Sequence, residues 1–214
     1  MRIGVLISGR GSNLKALIDA CEEPDFRGKI ALVISNRPGA AGLAVAEAAG
    51  IPTLAIDHKE FSTRETFDAE LDRALRNAGV ELVCNAGFMR ILTDDFVEKW
   101  RDRQLNIHPS LLPAFKGLHV HQRALEAGVK ITGCTVHFVR SEMDEGPIVA
   151  QAAVAVLPGD TAETLGQRVL EAEHRLYPLA LKLVVEERAR VVDERVTIDR
   201  GGETLDGPLF VPTC

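Results

Sequence analysis

The chain alternates between short, wholly apolar runs and longer stretches whose apolar residues recur every three or four positions. Residues 3–7 read as a strand buried on both faces. Residues 13–21 read as a helix with Leu14, Leu17 and Ile18 on its inner side. Residues 30–34 are a second buried strand, and residues 40–49 a helix that Gly50 and Pro52 close. A short strand at 53–56 precedes a helix over 63–77, whose inner stripe is Phe67, Leu71, Ala74 and Leu75 and whose end is marked by Gly79. A strand at 81–85, a helix at 94–100 and a strand at 104–107 complete this half. Strand and helix in strict alternation imply right-handed crossovers and a mostly parallel sheet covered on both faces.

After a helix over 119–127 the pattern changes. Residues 131–139 alternate clearly: Cys134, Val136 and Phe138 share one face, Gly133, Thr135 and His137 the other. The second set reads as site lining in preference to polar core. Residues 148–157 form a further apolar strand, and a connection of about ten residues with no helix makes the pair antiparallel. Asp160 is the expected N-cap of the next helix, with Glu163 completing a capping box. That helix should run to about residue 175, passing Pro178 only with a kink. Short strands are expected around 199–202. The reading is a single α/β domain over residues 1–214: a Rossmann-like, mostly parallel sheet with helices on both faces and an antiparallel C-terminal portion.

Composition narrows the function classes. Among 214 residues the formal net charge is -6, which argues against a dedicated nucleic-acid face but leaves room for a local basic pocket. The four cysteines, Cys21, Cys84, Cys134 and Cys214, are dispersed. That disfavours a zinc site or a disulfide framework and fits a reducing cytoplasm. The apolar run at 4–7 is too short for a signal peptide, and no stretch is long enough to span a bilayer. A cytoplasmic location with no membrane partner is expected.

Four motifs carry candidate chemistry. Ser8-Gly9-Arg10-Gly11-Ser12-Asn13 falls between the first strand and first helix, where glycines and free helix N–H groups favour an anion. Leu14 stands where a dinucleotide fingerprint wants a third glycine, and no P-loop Lys-Ser/Thr follows, so a single phosphate is favoured. The competing reading makes Ser12 and Asn13 plain helix caps. Ala86-Gly87-Phe88-Met89-Arg90-Ile91-Leu92 follows the fourth strand, either as a ligand loop or as a helix start packed on the core. Asn106-Ile107-His108-Pro109 sets an amide and an imidazole on the same strand face, with the strand ended by Pro109. Such a pair can hold a developing oxyanion and move a proton, or merely satisfy its own turn. Ser141-Glu142-Met143-Asp144-Glu145-Gly146-Pro147 crowds three carboxylates into a turn, by default a solvated tip. One acid reaching His108 would favour the charged ring. His58 reads as solvent-facing, and His119, His121, Glu173 and His174 as capping or surface residues.

Together with Gly117-Leu118-His119, Val136-His137-Phe138 and Glu173-His174, and in this order along the chain, these motifs resemble the phosphoribosylglycinamide formyltransferase family, folate-dependent enzymes of purine synthesis. The resemblance implies transfer of a formyl group from 10-formyltetrahydrofolate, as co-substrate, to the amine of glycinamide ribonucleotide, with no metal. It implies a catalytic trio of Asn106, His108 and Asp144. Gly11, Ser12 and Asn13 would cradle the substrate phosphate, and Glu173 would meet its ribose. Arg64, Met89, Arg90, Ile91, Leu92, Asn106, Arg140, Ser141 and Met143 would meet the folate, largely through backbone groups. Residues 1–100 would then be the phosphate-binding half and 101–214 the catalytic and folate-binding half. Partners would be small-molecule substrates, with the chain a monomer or homodimer. Among relatives in chemistry, methionyl-tRNA formyltransferase carries an added RNA-binding domain and formyltetrahydrofolate deformylase an N-terminal regulatory one; this sequence is expected to carry neither. A non-catalytic mononucleotide-binding domain would leave the trio without a shared purpose.

Overall fold

Five parallel strands, β1 (Arg2–Ile7), β2 (Lys29–Ser35), β3 (Thr53–Ala55), β4 (Leu82–Asn85) and β5 (Gln104–His108), lie in the order β3-β2-β1-β4-β5. The computed structural model, which describes residues 1–199, extends this sheet with β6 (Ile131–Phe138) and β7 (Ile148–Ala155), each antiparallel to its neighbour. The seven strands expected between residues 3 and 157 are present, the last two antiparallel. The apolar runs are central strands because both faces are sealed. Ile3, Val5 and Ile7 pack on one side and Leu6 on the other, all fully buried.

One face is covered by α1 (Ser12–Cys21), α2 (Ala41–Ala48), α5 (Val120–Glu126) and α6 (Ala162–Val185). The opposite face of β1, β2 and β4 is covered by α3 (Arg64–Asn77) and α4 (Asp94–Lys99), through Phe67, Leu71, Leu75, Phe96 and Trp100. Over β5 and β6 that second face carries polar side chains, Asn106, His108, Thr135 and His137, overlaid by the loops at 109–119 and 139–147. Loops in place of a helix cover these polar groups, burying His108, Thr135 and His137 and leaving Asn106 partly exposed.

Three details depart from the sequence reading. The N-cap of α6 is Thr161, in a capping box with Thr164, while Asp160 accepts from Leu157 N and binds Arg168 in a two-pronged pair. Arg168 draws the Asp160 carboxylate off the helix end, which Thr161 then caps in extended conformation. The helix also continues through Pro178 to Val185, since Leu176, Tyr177, Ala180, Leu181 and Val184 keep one continuous buried stripe. Finally, the terminal hairpin is β8 (Ala189–Val192) and β9 (Arg195–Ile198). It precedes the expected 199–202; Asp199 follows β9, and positions 200–202, like Cys214, lie outside the described residues. No described helix is long and apolar enough to cross a membrane.

Candidate active site

The strand order reverses at β1, which pairs with β2 on one side and β4 on the other. In an open α/β sheet, ligands bind in the crevice outside the carboxyl ends of the strands at such a point. The β1–α1 turn lines it. Gly11 caps α1 in the left-handed region (φ 78) with no side-chain cap bond. A Cβ on Gly11 would lie 2.7 Å from the Gly42 Cα, and one on Gly42 2.6 Å from Ile7 Cδ1. Backbone packs directly on backbone here, and the first turn of α1 starts without a side-chain cap.

The plain-cap reading of Ser12 and Asn13 therefore does not describe this turn. Asn13 Nδ2 instead donates to Glu173 Oε2 at 2.7 Å, and Asn13 Oδ1 is buried without a hydrogen-bond partner among the described residues. Glu173 is buried, not on the surface; burial pushes its carboxyl above the ordinary range, partly opposed by the Asn13 bond.

The loop after β4 is pinned from beneath. Met89 N–H donates to Ser8 Oγ (2.7 Å), which donates to Asn36 Oδ1 (2.5 Å). His58 is not solvent-facing but bonds the Asn36 carbonyl through Nδ1 (2.9 Å). Phe88 and Leu92 pack on the core, whereas Met89 and Ile91 stand 67% and 60% exposed. Between them, Arg90 Nε is buried and unpaired among the described residues.

At the end of β5, Asn106 is in register with His137 and His108 with Thr135. His108 Nδ1 lies 3.3 Å from Asp144 Oδ2, and both side chains are about nine-tenths buried. The opposite ring nitrogen, Nε2, is 3.0 Å from the Phe115 carbonyl. A carbonyl only accepts, so Nε2 donates to it, while Nδ1 is turned to the carboxylate. His137 is the opposite case. Its Nδ1 donates to the Phe138 carbonyl (2.9 Å) and its Nε2 accepts from Asn106 Nδ2 (3.2 Å). Burial holds its pKa down, consistent with a neutral ring. One amide hydrogen of Asn106 is thereby fixed, which aims the other.

Asp144 is delivered by a tight return of the chain. It sits at φ 56, and its Oδ2 accepts from Gly117 N at 2.9 Å. Gly146 makes the return possible: a Cβ there would lie 1.7 Å from the Phe138 carbonyl oxygen. Lys116 and Glu145 join the two loops at 2.6 Å. Of the three acids in the turn, Glu142 is exposed and Glu145 is paired outward, leaving Asp144 as the one that meets His108.

Other expected contact residues are arranged differently. Arg64 is exposed on the first turn of α3. The Arg140 guanidinium is buried and turned to Asp102 (2.6 Å) and Glu194 (2.7 Å), so only its backbone remains for a ligand. Ser141 and Met143 are exposed on the loop. The Phe115 carbonyl and the Gly117 N–H escaped sequence reading because backbone groups carry no residue signature.

An α/β sheet with a glycine turn at its switch point, and Asn106 and His108 of β5 meeting Asp144 from the loop after β6, has the layout of an α/β enzyme site. The formyl transferase family matches residues 1–181, and the chain belongs to that family. It is 44% identical over 198 residues to the phosphoribosylglycinamide formyltransferase of Haemophilus influenzae, covering 92% of this chain and 93% of the relative. It is 56% identical over 184 residues to the trifunctional purine biosynthetic protein adenosine-3 of Gallus gallus; the match covers 86% of this chain and spans 18% of that relative's length. Among solved structures, the glycinamide ribonucleotide transformylase 1 of Symbiobacterium toebii superposes with a TM-score of 0.90 at 51% identity, covering 92% of this chain and 93% of that one.

Proposed function

We propose that this chain transfers the formyl group of 10-formyltetrahydrofolate to the amine of glycinamide ribonucleotide, giving formylglycinamide ribonucleotide and tetrahydrofolate. The observation that carries the reading is His108 Nδ1 lying 3.3 Å from Asp144 Oδ2, with Asn106 on the same strand face. The names of the full-length bacterial relatives support the same acceptor.

In the reaction the substrate amine attacks the formyl carbon, a C–N bond forms, and the carbonyl oxygen takes the displaced electron pair. Asn106 offers its free amide hydrogen to that oxygen. His108 offers the Nε2 proton now shared with the neutral Phe115 carbonyl; an oxyanion is the stronger acceptor and takes it over. Asp144 Oδ2 faces the other ring nitrogen, orients the ring and sets a negative charge behind it as charge develops on the substrate. Collapse of the intermediate breaks the bond to the folate nitrogen, which receives the proton lost by the amine, relayed through Asp144 and water.

The remaining groups bind. The N–H groups at Gly11, Ser12 and Asn13 suit a single phosphate, and Glu173, a buried carboxyl bonded to Asn13, suits a ribose hydroxyl. Met89, Ile91 and Met143 form an apolar rim suited to the flat folate body, while Arg90, Leu92 and the backbone from Arg140 to Ser141 offer its polar edges partners. Arg64 stands further out, toward the folate tail. The acceptor distinguishes this reading from other formyl-folate chemistry. With the folate donor fixed, product should form with glycinamide ribonucleotide and not with water or charged tRNA; equal turnover without the ribonucleotide would refute the assignment.

A further inference from the structure

A polar row crosses three strands beside the site. His108 on β5 is in register with Thr135 on β6, and Thr135 with Gln151 on β7, so the three side chains share the loop-covered face. The Thr135 hydroxyl is fully used. It donates to the Ser110 carbonyl (2.7 Å) and accepts from Leu112 N (3.1 Å) and Gln151 Nε2 (3.0 Å). Gln151 Nε2 also donates to the Leu112 carbonyl at 2.9 Å. Both amide hydrogens of an edge-strand side chain are thus spent on, or beside, one short loop. Ser110 Oγ carries the bracing on to the Ala114 carbonyl (2.6 Å), and the next carbonyl, that of Phe115, is the one facing His108 Nε2. Phe115 sits at φ 54, a conformation a bulky residue keeps only where its surroundings hold it.

We propose that Gln151 is a positioning residue for formyl transfer, acting through Thr135 and the 110–115 loop to hold the Phe115 carbonyl against His108. The inference rests on the assignment of His108 as the proton-holding donor. Gln151 itself touches no reacting atom. Its loss frees the Leu112 carbonyl to water at an exposed edge, while the buried Thr135 hydroxyl keeps the loop attached, so the fold survives and the Phe115 carbonyl drifts. The His108 ring then loses the acceptor that sets its orientation. The phosphate turn and the Met89 loop lie on other strands and are untouched, so substrate affinities persist.

The test uses the whole chain with Gln151→Leu. Steady-state formyl transfer is measured alongside the ring resonances of His108 in 15N-histidine-labelled protein. For Gln151→Leu, kcat is expected to fall about 10-fold with both KM values within about two-fold, the signature of misplacement and not of lost binding. The His108 resonances should shift. An unchanged kcat, or unmoved His108 resonances, in Gln151→Leu would overturn the brace while leaving the formyl-transfer reading intact. A wild-type chain that transfers no formyl group would overturn that reading instead, and the resonances would then decide the brace alone.

Discussion

Asn13 Nδ2 donates to Glu173 Oε2 at 2.7 Å, joining the first turn of α1 to the middle of α6, 160 positions further along the chain. The bond links the crevice to a helix whose inner stripe is core. It leaves a carboxyl in a place where its charge is costly, and that cost is measurable.

Burial raises the folded-state pKa of Glu173 above its ordinary 4.5, so the folded chain holds this proton more tightly than the unfolded one. The stability it confers is complete below the unfolded value and is lost as pH climbs through the raised one. Glu173→Gln should therefore raise Tm at pH 8 by about 2–4 °C, the equivalent of about 1 kcal/mol, and leave it unchanged at pH 4. Thermal unfolding across this range checks the sign, and a weaker affinity for the ribonucleotide should accompany the gain.

Asp144→Asn keeps the size of the side chain and its bond from Gly117 N, but removes the charge beside His108. Turnover should fall about 10²–10³-fold, as should that of His108→Ala, since each removes support for the same developing oxyanion. Urea unfolding midpoints close to the parent would show that the loss is chemical and not one of folding.

Gly146→Ala forces a methyl against the Phe138 carbonyl, and a backbone atom cannot swing aside as a flexible side chain does. A loss of at least about 2 kcal/mol in equilibrium unfolding is expected. The loop carrying Asp144 must move as well, so the rate at saturating substrate should drop even below the unfolding temperature. An alanine variant with parental stability and rate would count against the tight return.

Ile91→Ser removes an apolar side chain that stands 60% exposed at the crevice. Stability should hardly change, because little area is lost from the core. The KM for the folate donor should rise about 10-fold, from roughly 1.5 kcal/mol of apolar contact forgone, with the KM for the ribonucleotide unaltered. Initial rates with each substrate varied in turn separate the two.

What the sequence made legible was local. Apolar runs such as 3–7 and 30–34, the stripe Phe67–Leu71–Leu75, and the Asn106/His108 spacing each declare themselves within a few residues, and each stands where its pattern implied. Competition among neighbours was less readable. Asp160 and Thr161 are both good caps, and only the approach of Arg168 decides between them. Arg140 is basic and beside the acidic turn, yet Asp102 and Glu194 draw its head the other way. Pairings across strands were the least accessible: the row from His108 through Thr135 to Gln151 depends on the register of three strands, which no single segment encodes.

The replacement of a covering helix by loops over β5 and β6 divides the site between a rigid scaffold and a lightly held cover. Asn106 and His108 are rooted in the interior scaffold, while the stretch at 109–119 that overlies them is bound to it by a few hydrogen bonds. A graft at 109–119 should therefore leave the sheet standing yet abolish formyl transfer unless it restores the Phe115 carbonyl and the Gly117 N–H, so any redesign of the acceptor has to be built around those two backbone groups.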